Sequence, residues 1–209
     1  MAELGKIQRP DVEQFRGKRK IYLVSLLFSW EGAPAEYLEK FNRYWQQVNE
    51  HVVNLEEKVG KVSHIYHETI SLAGEEGMRL LEKLNPAASQ IARERFHAGA
   101  NLEAVEDAEL VAESMDWERQ LLTGFISQKV GRIVSEFFSL VSSERYKYIA
   151  RQIDETLKDG EAALLIIREG HAVQFPEDIE VFMVAPPIAD EILRWLREQN
   201  SMEKKEAPE

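Results

Sequence analysis

The chain has 209 residues, 44% of them hydrophobic and 30% charged, and its 37 Asp and Glu against 26 Lys and Arg give a formal net charge of -11. Such a composition supports a packed core rather than a disordered chain. The acidic balance argues against a general affinity for nucleic acid or anionic membrane, because both require a summed positive field. With no cysteine, disulfide frameworks, thiolate metal sites and cysteine nucleophiles are all excluded.

Residues 1–20 carry six Lys and Arg, four of them within Arg16-Gly17-Lys18-Arg19-Lys20, and show no hydrophobic period. They read as a poorly ordered basic arm. Followed by apolar Ile21 to Phe28 and by Ala33-Pro34-Ala35, this segment imitates a secretory leader. The apolar run is short, contains Tyr22 and Ser25, and precedes Trp30 and Glu31, so a buried first strand over 21–29 is the expected structure. No run approaches the ~20 apolar residues of a membrane span.

From Pro34, apolar residues at Tyr37, Leu38, Phe41, Trp45, Val48, Val52, Leu55 and Val59 predict a long amphipathic helix stopped by Gly60. Lys61 to Ile70 alternates and predicts a strand. Strand, helix and strand in that order imply a right-handed crossover between parallel strands. Residues 75–159 are patterned as helix almost throughout. Within them Leu121, Leu122, Phe125, Ile126, Val130, Ile133, Val134, Phe137 and Val141 predict one central, buried helix. Gly124, Ser127, Gly131 and Ser135 run beside that stripe as small residues where another backbone could approach.

Ala162 to Ile167 and Ile179 to Val184 read as strands flanking a Glu169-Gly170-His171 turn. A last helix opens at Pro186-Pro187, and residues 200–209 read as a disordered charged tail. The expected fold is thus α/β: a mixed, mostly parallel sheet built from N- and C-terminal strands, covered by a large central helical region, in a single domain over 21–199.

The sequence carries no dinucleotide fingerprint, P-loop, nucleophile elbow or zincin motif. His64-Ile65-Tyr66-His67-Glu68 is the densest group of ligand-type side chains. On a strand His64 and Glu68 share one face and His67 takes the other, so His64 with Glu68 is the candidate pair for a divalent metal. Arg168 and His171 sit where a buried strand ends, the place at which open α/β sheets collect ligands. Arg168 can clamp an anionic group and His171 can act as acid or base. Residues 101–118 hold seven Asp and Glu and no Lys or Arg. On one helix face Glu106, Glu109, Glu113 and Asp116 would form an acidic column for a basic partner protein.

In fold pattern alone, 143–199 resembles the α/β end domains of several translation and ribosome-rescue factors, which implies RNA-linked work as a third reading. The first is a non-catalytic, cytoplasmic binding or regulatory protein that self-associates through a helical face. The second is a small-molecule or phosphoester-directed enzyme using Arg168 and His171 with His64 and Glu68.

Overall fold

The computed structural model describes residues 15 and 17–206, with side chains placed up to residue 199. Five strands form one wholly parallel sheet: β1 (Arg19–Ser25), β2 (Val62–His67), β3 (Asn101–Leu102), β4 (Ala162–Ile167) and β5 (Ile179–Val184), in the order β3-β2-β4-β1-β5. Strands from the two extremities of the sequence therefore share a sheet, with β1 between β4 and β5. The sequence predicts no strand between 75 and 159. The two-residue β3, pairing with His64 and Ile65, corrects that, because two residues are too short to register as a pattern.

The helices are α1 (Ala35–Lys58), α2 (Gly74–Leu84), α3 (Pro86–His97), α4 (Ala108–Thr123), α5 (Gln128–Thr156) and α6 (Ile188–Glu206). Within β4 all six residues are buried, as expected of a strand covered on both faces. Leu164 and Ile166 pack with Tyr22, Val24 and Ile65 against α1, α2, α3 and α6. Ala163, Leu165 and Ile167 pack with Ile21, Leu23 and Tyr66 against Ile149 and Ile153 of α5 and Leu157 at its C-cap. The result is three layers, helix on sheet on helix.

Several boundaries differ from expectation. β1 starts at Arg19, so the end of the basic segment is in the sheet. Arg19 and Lys20 are buried. Arg19 holds Asp178 through Nε at 2.6 Å and Nη2 at 2.8 Å, and Lys20 Nζ donates to the carbonyls of Lys18 and Gly160 at 2.8 and 3.0 Å. These cations serve the strand ends instead of a free arm. The rest of the expected arm, 1–14 and 16, lies outside the described residues, as does 207–209. α6 continues to Glu206, past the expected start of the tail at 200.

The largest difference is in the middle. The single helix expected over 121–141 is broken: α4 ends at Gly124 and α5 begins after Ser127, whose hydroxyl caps Val130 N–H. Gly124 and Ser127 are therefore turn and cap, and Gly131 makes room for Phe125, since a Cβ there would lie 3.1 Å from its ring. The small residues admit this chain's own turn. Nor is the stripe central. Leu122 is 83% exposed and Ile126 108%, while Val130, Ile133, Phe137 and Leu140 are also exposed. α4 and α5 form an antiparallel hairpin. Only the last three turns of α5, from Arg145, pack on the sheet, so 128–144 projects roughly 25 Å past the carboxyl ends of the strands.

Candidate functional site at the carboxyl edge of the sheet

Parallel strands bring their carboxyl ends to one edge, and the residues that follow β2 and β4 meet there. Glu68, the first residue after β2, is fully buried. It accepts a hydrogen bond from the backbone N–H of Arg168 at 2.7 Å and another from Arg168 Nε. Arg168 is the first residue after β4, the neighbour of β2. The pairing of the strands thus sets the pairing of the charges.

Two further ions complete the network. Arg145 of α5 is buried and donates through Nε to Glu106 Oε2 at 3.2 Å, through Nη2 to Glu106 Oε1, and through Nη1 to Ser114 Oγ of α4 at 3.2 Å. The same Nη2 lies 3.6 Å from Glu68. Glu106 also accepts the N–H of Thr69 at 3.2 Å. Thr69 has φ of 74°, a left-handed conformation unusual for a β-branched residue; the Glu106 carboxylate helps hold it. Two carboxylates and two guanidiniums offset one another, as buried charges must.

Arg168 is the member that reaches solvent. Its side chain is 39% exposed, with Nη1 3.7 Å from the half-exposed Glu118 of α4. Burial lowers its proton affinity, but Glu68 outweighs burial and the guanidinium is held charged more firmly than usual.

His171 sits on the turn beyond Arg168. Its Nδ1 accepts the N–H of Val173 at 3.3 Å, so the neutral ring carries its proton on Nε2. Burial lowers its pKa, and Glu68 partly opposes the shift. The ring packs edge-on to Tyr146 and Phe175, with centroids 6.5 and 6.1 Å away. Beside it, between α5 and the 172–174 segment, a cleft of about 450 Å³ is lined by Ser139, Ser142, Ser143, Tyr146, Lys147 and Gln174 among others. Its volume suits a small organic molecule.

The remaining expected residues go elsewhere. His64 and Glu68 share the α5-facing side of β2 but stand four residues apart, about 13 Å along a strand. His64 is engaged by Glu103 at Nδ1 (2.9 Å) and Glu161 at Nε2 (3.1 Å). These pairs tie the start of β4 to the end of β3. Among the described residues no group of three or more His, Asp and Glu is placed to hold a metal ion. His67 faces the opposite layer, fully buried. Its Nδ1 donates to Glu68 O, and Nε2 has no partner.

Of the acidic column, Glu106 precedes α4 and is consumed by Arg145, a departure from the expected helix stack. Its place at the helix start is taken by Asp107, which caps Glu109 and Leu110 N–H at 2.9 and 3.0 Å. Glu109, Glu113 and Asp116 keep helical spacing, yet Glu113 accepts from Trp117 Nε1 and Asp116 from Arg119, both at 3.1 Å.

Sequence reasoning missed Arg145 and the site role of Tyr146. Arg145 did leave a signal: it occupies the inward position between Val141 and Ile149, four residues from each, where an arginine needs a buried partner.

The fold and this edge define a three-layer parallel α/β protein with a buried ion network that opens through one arginine and one histidine. Compared with known proteins, the chain matches no family, and no curated protein or solved structure matches it. No helix among the described residues is long and apolar enough to cross a membrane.

Proposed function

We propose that this protein binds a small anionic molecule at the carboxyl edge of its sheet, and that it does so within the cell as a homo-oligomer. One observation carries the reading: Arg168 has Nε anchored on buried Glu68 while its head reaches solvent at the strand end that leads to His171, whose ring packs on the cleft-lining Tyr146. A guanidinium so fixed loses little freedom on taking a carboxylate or phosphate in place of Glu118. Ser142, Ser143 and Lys147 supply further donors along the cleft wall. Uptake would exchange the 3.7 Å Glu118 contact for the ligand's, so the ligand needs an apolar body as well as its charge to gain net affinity.

Titration with inorganic phosphate and with short-chain carboxylates, followed by the ring-proton NMR signals of His171, tests this. Expected is a saturable shift that Arg168→Gln abolishes. No response up to about 10 mM, beyond the millimolar Kd that a single charged contact supports, removes the proposal.

A second reading is catalysis on a phosphoester in which neutral His171 donates a hydrogen bond from Nε2 to the phosphoryl oxygen as charge develops there. The observation favouring it is the Nε2–H tautomer imposed by Val173, which leaves a donor beside a fixed cation. Turnover of an aryl phosphate that disappears in His171→Gln supports that reading; unchanged turnover in the variant ends it. Neither reading uses the His64 and Glu68 pair as metal ligands, and RNA binding gains nothing from a network whose cations are already matched by carboxylates.

A further inference from the structure

We infer that two copies of this chain dock through the projecting hairpin, α5 against α5 in antiparallel sense, with Val130, Ile133, Phe137 and Leu140 as the seam and Phe125 and Ile126 closing its ends. The four seam residues recur at intervals of three, four and three, the a/d spacing at which two helices interlock. The buried contacts of α5 lie on the neighbouring stripe, and of the seam residues Phe137 also stacks on Trp117 of α4, with ring centroids 5.1 Å apart. Val134 and Val141 are buried and share a side with Arg145, which reaches α4. After the hairpin has formed, the four seam residues remain between 39% and 58% exposed.

Its size identifies the occupant as a second copy. The six side chains are exposed over between 36% and 108% of their surface. At roughly 200 Å² per large side chain this is about 650 Å² of apolar surface. A monomer seldom carries more than about 600 Å² in one patch. Two such patches make about 1,300 Å², inside the range of specific interfaces that starts near 1,200 Å².

Charge sets the direction. Pairing 130 with 140 and 133 with 137 of the other copy sets Lys129 of one helix level with Val141 of the other, about 4.5 Å along the axis from Glu144 and within reach of its carboxylate. Parallel pairing sets Glu144 against Glu144 and Lys129 against Lys129. Lys129 makes no ion pair among the described residues, and Glu144 is held only by exposed Lys147, so both can serve across the interface. The mixed signs along this face, with Arg132 paired to Glu136 at 3.8 Å, do not suit an anionic lipid surface, which selects clustered cations.

Sedimentation of the full chain between about 1 and 100 µM tests the seam, because interfaces of this size associate in that range. A dimer is expected for the native chain, and an at least ~30-fold weaker Kd for Phe137→Glu, the loss typical of a central anchor. Lys129→Glu should weaken the dimer, and adding Glu144→Lys should restore it while the thermal unfolding curve stays unchanged. A native chain that sediments as a monomer at about 100 µM overturns the inference. So does a dimer indifferent to Phe137→Glu, or an association lost on deleting 1–14 but not on altering the seam. Phe137→Glu and Lys129→Glu lie outside the anion site, whereas Glu144→Lys releases the cleft-lining Lys147; with anion binding read on the first two variants, the anion site and the seam can fail separately.

Discussion

Glu68 accepts two hydrogen bonds from a residue 100 positions away, one from the Arg168 backbone and one from its side chain. The first fixes the peptide that leaves β4, and the second fixes the guanidinium above it. A single carboxylate therefore sets both where the loop to His171 starts and where its cation stands.

The network that holds this carboxylate is a stability element whose removal is costly. Arg145→Met leaves Glu106 and part of Glu68 buried without a counter-ion, so about 3–5 kcal/mol of folding stability should be lost in urea denaturation. Arg145→Met combined with Glu106→Gln should cost less than the sum of the two single changes, because the second removes the charge that the first strands.

Acid should destabilise the fold through His67. Burial pushes its pKa down to about 4, from an ordinary value of 6.5. The unfolded chain then binds this proton more readily than the folded one, so stability is complete above pH 6.5 and falls as pH drops toward 4. The full loss is about 3 kcal/mol. His67→Phe should flatten the dependence of the urea midpoint on pH over that window. An unaltered slope in the variant would assign the acid sensitivity to other groups.

Anion binding should carry a pH signature of its own. Because burial lowers the His171 pKa and Glu68 only partly restores it, the ring is neutral at about pH 7. Affinity for phosphate should rise as pH falls below 6.5 and the ring gains its charge. Calorimetric titrations of native protein and His171→Gln at several pH values check this: the variant should show the weaker slope.

The α2 helix should tolerate no side chain at Gly77. A Cβ there would lie 2.0 Å from the Leu72 carbonyl oxygen and 2.9 Å from Leu102 Cδ2, and the backbone partner cannot swing aside. Gly77→Ala should destabilise by about 1–3 kcal/mol through forced backbone movement, against the usual gain of replacing a helical glycine. Thermal melts of this variant beside the native chain decide it.

The fold was largely legible because its strands announce themselves: β4 is an apolar run of six and β5 is apolar except for Glu180, both bounded by turn residues, and β1 differs by two buried cations at its start. Arg168 was likewise legible at a strand end, while Glu68 read as a partner of His64 on the preceding strand, and the contact between Arg168 and Glu68 was not visible. What escaped was whatever depends on partners distant in sequence. Glu106 looked like helix surface because a carboxylate's pattern does not reveal Arg145 39 residues on. The stripe from Leu121 to Val141 looked buried because apolar periodicity alone does not distinguish a face packed on the sheet from one that stays exposed. The turn at 124–127 was hidden by residues, Phe125 and Ile126, that continue the apolar pattern through it.

The sheet order has a consequence for synthesis. Of the described strands β1 is made before the others, yet its two neighbours are β4 and β5, so one edge stays bare until residue 167 and the other until residue 184 has left the ribosome. Apolar Ile21, Tyr22 and Val24 must wait for most of the polypeptide. Folding should consequently be late, cooperative and slow for a chain of this length, and a nascent chain halted before β4 should be a client for chaperones.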